Sequence, residues 1–144
     1  MDACCLNRPF DDLSQDRPNL EAEAILSIIS RCDSGEWVLV MSGAIEYELS
    51  RLPDADRLDQ VKTLCATARE RIKLTEQAER RAGFFQQKGI GAFDAVHLAL
   101  AESSQVDVFL TTDDRLLRKA KKTGINIRVA NPVSWLMEVT NNEW

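Results

Sequence analysis

Apolar residues recur along the chain at two spacings, and each spacing predicts one kind of element. Short continuous apolar runs are typical of buried strands, and they predict strands at 37–41, 106–110 and 125–129, a short strand at 71–74 and the end of a strand at 1–6. A polar loop is expected over 7–18. Apolar residues three and four apart predict helices. The predicted helices cover 20–33, 44–51, 75–88, 92–104 and 115–122, with another after Asp54 and a short one from Pro132.

The order of these elements indicates the fold class. Strands alternate with helices, so we expect an α/β fold with a mostly parallel sheet and right-handed crossovers. The 144 residues contain no repeat, low-complexity tract or linker, and the whole chain, 1–144, is predicted to be a single domain. Folds of this class bind ligands beyond the carboxyl ends of their strands. The functional site is expected at those ends.

Composition excludes several classes of protein. Hydrophobic residues make up 44% of the chain and charged residues 28%, close to an average soluble globular protein. The longest uncharged stretches, 37–45 and 129–137, fall well short of the roughly 20 residues that a membrane-spanning helix needs. Asp2 follows Met1 directly and no basic or apolar leader is present. We therefore expect no secretory signal and a cytoplasmic location.

Charge and cysteine content narrow the chemistry. Lys and Arg total 18 against 23 Asp and Glu, a net charge of −5. This disfavours a protein that holds nucleic acid by an overall basic field, so nucleic-acid chemistry would need a local basic patch beside an acidic centre. The 4 cysteines and the single histidine, His97, lack recognisable zinc spacing. The cysteines are predicted to be reduced and buried.

Acidic residues stand where strands are predicted to end. Asp2 lies in the first apolar run, Asp113 follows the strand 106–110, and Glu46 and Glu48 follow the strand 37–41. Each has a purely structural interpretation: a helix cap for Asp113, a frayed terminus for Asp2, and surface charges for the glutamates. Together they would converge on one sheet edge. Carboxylates gathered there repel unless they share metal ions, and oxygen ligands favour Mg²⁺ or Mn²⁺ over zinc.

Asp94 is embedded in the otherwise apolar segment 91–101, at the start of the predicted helix 92–104. A helix cap is one interpretation. However, burying a carboxylate among apolar side chains is costly without a compensating positive charge, and no Lys or Arg lies within one helical turn. An external cation is therefore the predicted partner.

Two sequence motifs resemble a known family. The sequence Asp-Ala-Val-His-Leu-Ala at 94–99, followed by Asp-Val-Phe-Leu-Thr-Thr-Asp-Asp-Arg-Leu at 107–116, resembles the C-terminal half of a PIN domain, the ribonuclease fold of VapC-like toxins. The segment 2–12 resembles the opening of a bacterial PIN subgroup, and 41–49 resembles its second motif. The resemblance covers nearly the whole chain. It implies a three-layer α/β/α domain with a central, mostly parallel sheet of four to five strands.

The resemblance also implies a site. The family's acidic set, which serves as catalytic residues and metal ligands, falls on Asp2, Glu48, Asp94 and Asp113. In the family these residues bind one or two divalent cations, Mg²⁺ or Mn²⁺, and cut RNA by hydrolysis. Thr111 falls on the motif's usual threonine, which would orient the site by hydrogen bonding.

The chain departs from the family pattern in three places. Cys4 stands where the family commonly has Ser, Thr or Asn. Glu46 competes with Glu48 as a ligand, although residues two apart on a helix point in different directions. Only Met1 precedes Asp2, whereas the family's first strand has several residues before its Asp. Either the start of the chain is shortened or this strand is clipped, and both alternatives would weaken metal binding.

Positive charge is concentrated after Asp113, at Arg115, Arg118, Lys119, Lys121, Lys122 and Arg128. Such residues supply sequence-independent affinity for phosphates. Arg115 and Arg8 are the predicted substrate contacts, while a solvated helix face explains Lys121 and Lys122 equally well. For His97 a packed core histidine is the favoured interpretation, and a hydrogen bond to a site carboxylate or a substrate phosphate is the alternative.

Family membership would imply several partners: an RNA substrate, an antitoxin that occludes the cleft, and a second copy in a homodimer. The apolar face of 20–33 and the pair Phe84–Phe85 are candidate dimer surfaces, although both also fit an ordinary core. The leading hypothesis is a ribonuclease, the toxin of a type II toxin–antitoxin pair. A PIN-fold module that binds RNA or protein with little or no nuclease activity is the alternative, which Cys4 favours. A receiver- or phosphatase-like domain is disfavoured because no Lys stands at a late strand end.

Overall fold

The computed structural model describes residues 1–141. The α-helices are α1 Ala3–Asn7, α2 Asp16–Asp33, α3 Gly43–Ser50, α4 Ala55–Cys65, α5 Glu76–Gln87, α6 Ala92–Ser103, α7 Asp114–Lys121 and α8 Pro132–Thr140. A 3₁₀ turn, Arg8–Phe10, follows α1. The strands are β1 Val40–Ser42, β2 Glu70–Ile72, β3 Val108–Leu110 and β4 Arg128–Ala130. The alternation of helices and strands confirms the α/β class. Within 1–141, no helix is both long and apolar enough to cross a membrane.

The predicted helices after residue 40 are confirmed, largely because their capping signals are local. The Ser42 hydroxyl accepts from the Ile45 amide at 3.2 Å and begins α3. Asp54 accepts from two amides at the start of α4, and Thr75 accepts from the Ala78 amide at the start of α5. Each cap satisfies amides that the first helical turn leaves without a partner.

The opening segment differs from the prediction. Residues 1–6 do not end a strand: the chain enters α1 at Ala3, and the predicted loop over 7–18 holds the 3₁₀ turn and the start of α2. Asp2 is the cap of α1, accepting from the Cys5 amide at 3.0 Å. Cys5 and Leu6 are fully buried. A short apolar run is compatible with a buried helix as well as a buried strand. Here the Asp2 carboxylate caps the run, which forms a helix.

The sheet also differs from the expected single one of four to five strands. Within 1–141, β1 pairs in parallel with β2, and β3 pairs in parallel with β4, as two separate sheets. All four strands are shorter than predicted, at 3 residues each. A cleft of about 580 Å³ is lined by residues of both β1 and β3, and by Met1. We call it the interstrand cleft. The Asp2 amide donates to the Leu110 carbonyl at 3.1 Å, which ties the start of the chain to the end of β3.

Two apolar clusters form the core. One gathers buried residues of α1, α2, β1 and α3, and includes Ile25 and Leu49. The other gathers residues of α5, α6, β3 and α7, and includes Phe85 and Leu98. Phe85 is therefore core rather than a free dimer surface. The last residue of β3, Leu110, belongs to the same cluster as Met41 of β1.

The cysteines follow the prediction only in part. All four thiols are free. Cys5 and Cys32 are buried as expected and Cys65 is half-buried, but Cys4 is exposed. The exposure of Cys4 follows from its place on α1, where the neighbouring Cys5 faces the core.

Candidate active site

Asp2 is held rigidly at the start of α1. Its carboxylate is 2% exposed, so the interpretation as a frayed terminus is wrong. The Thr111 hydroxyl donates a short hydrogen bond to Oδ2, and the Cys5 amide donates to Oδ1. Burial raises the pKa of Asp2, and these two hydrogen bonds oppose that shift by favouring the ionised form.

Asp113 lies just beyond β3 and caps α7. Its Oδ1 accepts from the amides of Arg115 at 2.9 Å and Leu116 at 3.3 Å, so the interpretation as a helix cap is confirmed. Its own amide donates to the Thr111 hydroxyl at 3.1 Å. Within residues 1–141, Oδ2 of Asp113 makes no hydrogen bond, which leaves one carboxylate oxygen for another ligand. Thr111, fully buried, thus holds both Asp2 and Asp113 in place.

Glu48 is joined to the single histidine across α3 and α6. Its Oε2 lies 2.7 Å from His97 Nε2. His97 is 2% exposed, and its Nδ1 is buried without a hydrogen-bond partner in the described part of the chain. With Nε2 donating to the carboxylate, His97 is both a packed core residue and a partner of a site carboxylate. Glu46, in contrast, forms an ion pair with Arg71 on the exposed side of α3.

Asp94 lies in the first turn of α6, whose cap is Gly91, so the interpretation of Asp94 as a cap is wrong. The side chain is partly buried and makes no hydrogen bond or ion pair within 1–141. Burial, together with the negative charges of Asp2, Asp113 and Glu48, raises the pKa of Asp94 to about 6. The nearby His97 opposes the shift only in part.

The four carboxylates lie close enough to Cys4 to change the pKa of its thiol. Loss of hydration around its thiol, followed by the negative charges of these carboxylates, raises the pKa of Cys4 to about 12. The contributing residues are Asp2, Asp113, Asp94 and Glu48. Carboxylates from the cap of α1, from α3 and α6, and from the β3–α7 junction therefore lie within electrostatic reach of one thiol.

The donor chemistry of this place fits a hard divalent cation. Its four acidic residues offer carboxylate oxygens, and Asp94 makes no ion pair among the described residues. In residues 1–141, however, no three acidic, histidine or cysteine side chains are already arranged to hold an ion. The site thus has the ligand type and charge for a metal, without a preformed coordination shell.

A family model, described as the PIN domain, matches residues 2–122. The chain belongs to the PIN-domain family. The match contains all four site carboxylates and runs from α1 to α7. PIN domains are generally nucleases and typically use divalent metals. No curated protein and no solved structure matches this PIN domain.

The predicted substrate contacts of the PIN domain differ in their surroundings. Arg115 is exposed on the first turn of α7, beside Asp113. Arg8 is half-buried: its guanidinium contacts Asp11 and Glu21 and donates to the Thr112 hydroxyl at 3.3 Å. Two other predicted cations are engaged elsewhere. Lys119 donates to the Gly89 carbonyl and Arg128 pairs with Glu138.

A buried carboxylate behind the site escaped the sequence analysis. Glu21 is 2% exposed, lies 3.3 Å from both Arg8 and Arg17, and accepts from Asn131 Nδ2 at 2.7 Å. Arg17 in turn forms two hydrogen bonds to Asp114, at 2.9 and 2.7 Å. The network links α2 to the start of α7 and to α8. The only sequence signal for this network is the i,i+4 spacing of Arg17 and Glu21, which pairs side chains within one helix. Because the predicted helix begins at residue 20, Arg17 fell outside it and the pair was not predicted.

Proposed function

We propose that this PIN domain is a Mg²⁺- or Mn²⁺-dependent ribonuclease that hydrolyses RNA phosphodiester bonds. One observation carries the proposal: Asp94 makes no ion pair or hydrogen bond in the described chain, and burial together with three neighbouring carboxylates raises its pKa to about 6. Such an arrangement opposes folding unless a cation compensates it. Family membership supplies the reaction class.

Asp2, Asp94 and Asp113 would hold the cation, with Glu48 completing the set. A cation held by these residues would supply Lewis-acid chemistry, making a bound water more acidic and stabilising negative charge on the phosphate. Asp113 has one carboxylate oxygen free of its helix cap for this role. Asp2 keeps its orientation through hydrogen bonds from Cys5 and Thr111.

Other residues position the ligands and the substrate. Thr111 fixes Asp2 and Asp113 relative to each other through one hydroxyl. His97 holds the Glu48 carboxylate at 2.7 Å. Arg115, exposed beside Asp113, would contact a substrate phosphate, and Arg8 donates a hydrogen bond to the nearby Thr112 hydroxyl. These cations would provide the local basic patch that an acidic nuclease needs.

Cleavage of single-stranded RNA with and without Mn²⁺ tests the proposal. The wild-type chain should cleave with Mn²⁺ and stop when EDTA is added, and the Asp94→Asn variant should be inactive. Asp59→Asn, which changes an exposed carboxylate on α4, is the matched control and should keep full activity. Cleavage that survives EDTA or the Asp94→Asn change would refute a metal-dependent site at these residues.

A PIN-fold binding module with little nuclease activity is the second candidate. It is favoured by Cys4 at a position where the family commonly has a hydrogen-bonding residue, and by the lack of a preformed coordination shell within 1–141. Calorimetric titration with Mn²⁺ separates the two functions. Binding of Mn²⁺ and RNA without any cleavage would establish the module and exclude the enzyme.

We further propose that the domain acts in the cytoplasm as the toxin of a toxin–antitoxin pair. The uncompensated negative charge around Asp94 suits an arginine of an antitoxin that covers the site. Homodimerisation through α2 is part of this proposal, because Leu20 and Leu26 on that helix are 53% and 46% exposed. Induced expression in bacteria should arrest growth, and the Asp94→Asn variant should not. Sedimentation of the wild type and of a Leu26→Lys variant tests the dimer.

A further inference from the structure

Two arginines hold the residues on either side of Asp113. Thr112, which precedes Asp113, accepts a hydrogen bond from a terminal nitrogen of Arg8 at 3.3 Å. Asp114, which follows Asp113, accepts hydrogen bonds from both terminal nitrogens of Arg17, at 2.9 and 2.7 Å. The short connection between β3 and α7 is therefore fastened to the 3₁₀ turn on one side of the carboxylate and to α2 on the other.

One buried carboxylate contacts both arginines. Glu21 is 2% exposed, and its two oxygens are divided between them. Oε1 lies 3.3 Å from Nε of Arg8, and Oε2 lies 3.3 Å from Nε of Arg17. Each arginine thus has its Nε at Glu21 and at least one terminal nitrogen on a neighbour of Asp113. We call Glu21, Arg8 and Arg17 the arginine clamp.

A contribution to stability does not explain why these contacts end where they do. Taking charged groups out of water is costly, and replacing buried ion pairs by apolar groups of similar volume is often neutral or even stabilising. A guanidinium, however, is planar and its donors have fixed directions, so an arginine that is held at Nε also has its terminal nitrogens placed. The arginine clamp therefore fixes positions, and the positions that it fixes are those next to Asp113.

Asp113 is a residue whose position needs such support. It lies between the end of β3 at Leu110 and the start of α7 at Asp114, so its backbone belongs to neither element. Its Oδ1 caps α7, and its Oδ2 makes no hydrogen bond within 1–141. Groups that orient a metal ligand from behind typically change metal affinity or activity by about 10–100-fold when they are removed.

We propose that Glu21 is a positioning residue for Asp113, acting through Arg8 and Arg17 on the two residues that flank this carboxylate. The inference rests on the proposed function, in which Asp113 holds a divalent cation, and deepens it by adding a buried residue that contacts neither the cation nor the RNA. Loss of Glu21 should therefore weaken binding of the cation.

Calorimetric titration of the whole chain with Mn²⁺ tests the arginine clamp. Glu21→Gln keeps the size of the side chain but removes the charge between the two arginines, and should weaken Mn²⁺ binding about tenfold. Arg17→Lys keeps the positive charge but lacks the planar fork, and should weaken Mn²⁺ binding as well. Glu23→Gln, an exposed residue on the same helix, is the matched control and should leave the affinity unchanged. Unchanged affinity in Glu21→Gln would overturn the inference.

A double-mutant cycle shows whether the effect passes through Asp113. In an Asp113→Asn background, Glu21→Gln should weaken Mn²⁺ binding by less than about twofold, because the ligand that it positions is already lost. Circular dichroism at the titration temperature shows that each variant is folded. The same tenfold loss in both backgrounds would mean that Glu21 acts on another part of the molecule, and would overturn the inference.

Amide hydrogen exchange without metal, followed by NMR, separates positioning from a general loss of stability. The amides of Arg115 and Leu116 donate to the Asp113 carboxylate at the start of α7. In Glu21→Gln these two amides should exchange about tenfold faster, as expected for local opening. The Ile45 amide, which donates to the cap of α3, is the internal control and should not change. Equal acceleration at all three amides would identify general destabilisation and overturn the inference.

Failure of the inference and failure of the proposed function are distinguishable. If the wild type binds Mn²⁺ and cleaves RNA and Glu21→Gln does so equally well, the nuclease stands and the arginine clamp is overturned. If the wild type neither binds Mn²⁺ nor cleaves RNA, the proposed function is refuted. The amide exchange rates then decide by themselves whether Glu21 positions Asp113.

Discussion

The Asp94→Asn variant should be more stable than the wild type when no metal is bound. The pKa of Asp94 lies at about 6 rather than at its ordinary 3.8, mainly because of burial. For a fully buried carboxyl, such a displacement corresponds to about 3 kcal/mol. Asp94 is only partly buried, so solvent screening reduces the expected gain to about 1–2 kcal/mol. The amide of asparagine has nearly the same shape and carries no charge, which isolates this electrostatic cost.

The gain should depend on pH in a defined direction. Because the pKa of Asp94 is raised in the folded state, the protonated form favours folding and ionisation opposes it. The wild type therefore loses this stability as the pH rises from about 4 to about 6. The difference between variant and wild type should be small at pH 4 and reach its full value above pH 6. The buried Asp2, whose pKa is also raised, adds to the same trend in both proteins.

Urea unfolding at pH 4 and pH 7.5 in EDTA measures these differences. Asp59→Asn, on the exposed face of α4, should change the free energy of unfolding by less than about 0.5 kcal/mol at either pH. Adding Mn²⁺ at about 100 times its dissociation constant should stabilise the wild type by about 2.7 kcal/mol and leave Asp94→Asn nearly unchanged. If the variant is no more stable than the wild type at pH 7.5 in EDTA, Asp94 is not a strained carboxylate and the argument for a cation fails.

Three further changes probe the residues around the carboxylates. Thr111→Val should lower the free energy of unfolding by about 1–3 kcal/mol, since buried Asp2 loses a hydrogen-bond donor. Thr111→Ser keeps the hydroxyl and should retain most of the wild-type stability. Urea unfolding of both variants measures the difference. Glu21→Gln should cost about 1–3 kcal/mol, because a buried, hydrogen-bonded carboxylate is lost while Arg8 keeps Asp11 and Arg17 keeps Asp114, and an unchanged melting temperature would contradict this. An extended apolar segment joined to Met1 should enter the interstrand cleft and raise the melting temperature, whereas a Gly/Ser segment of equal length should not.

The helices could be predicted from the sequence because their signals are local. Ser42, Asp54 and Thr75 each cap the helix that follows, and the cap needs only the next few residues. The apolar spacing within α6 likewise reports which face is buried without reference to other elements. The alternation of elements then gave the α/β class.

The sheet could not be predicted in the same way, because strand pairing is non-local. The apolar runs at 37–41 and 106–110 were longer than the strands they contain, since only residues 40–42 and 108–110 find hydrogen-bonded partners. The run 1–6 became a helix because the Asp2 carboxylate caps it. An apolar run indicates that a segment is buried, but its hydrogen-bonding partners determine whether it forms a strand or a helix.

In the candidate site, too, some features have local sequence signals and others depend on distant residues. Its carboxylates are visible from motif and position, but the choice between Glu46 and Glu48 depends on their partners. Glu46 forms an ion pair with Arg71 on the surface, whereas Glu48 is hydrogen-bonded to His97 beside the other carboxylates. Arg71 and His97 lie 25 and 49 residues from these glutamates, so no local pattern could assign them.

Contacts that need no metal ion hold two of the site carboxylates in place. Thr111 connects Asp2 in the first helix with Asp113 at the last strand pair, using one hydroxyl as both donor and acceptor. Behind it, Glu21 gathers Arg8, and the Arg8 guanidinium reaches the Thr112 hydroxyl. These contacts orient Asp2 and Asp113, whereas Asp94 makes no ion pair or hydrogen bond in the described residues. If the site bound no metal ion, replacing Asp94 by a neutral residue would stabilise the fold without any loss of function. A carboxylate at this position is therefore best explained by a ligand that it binds.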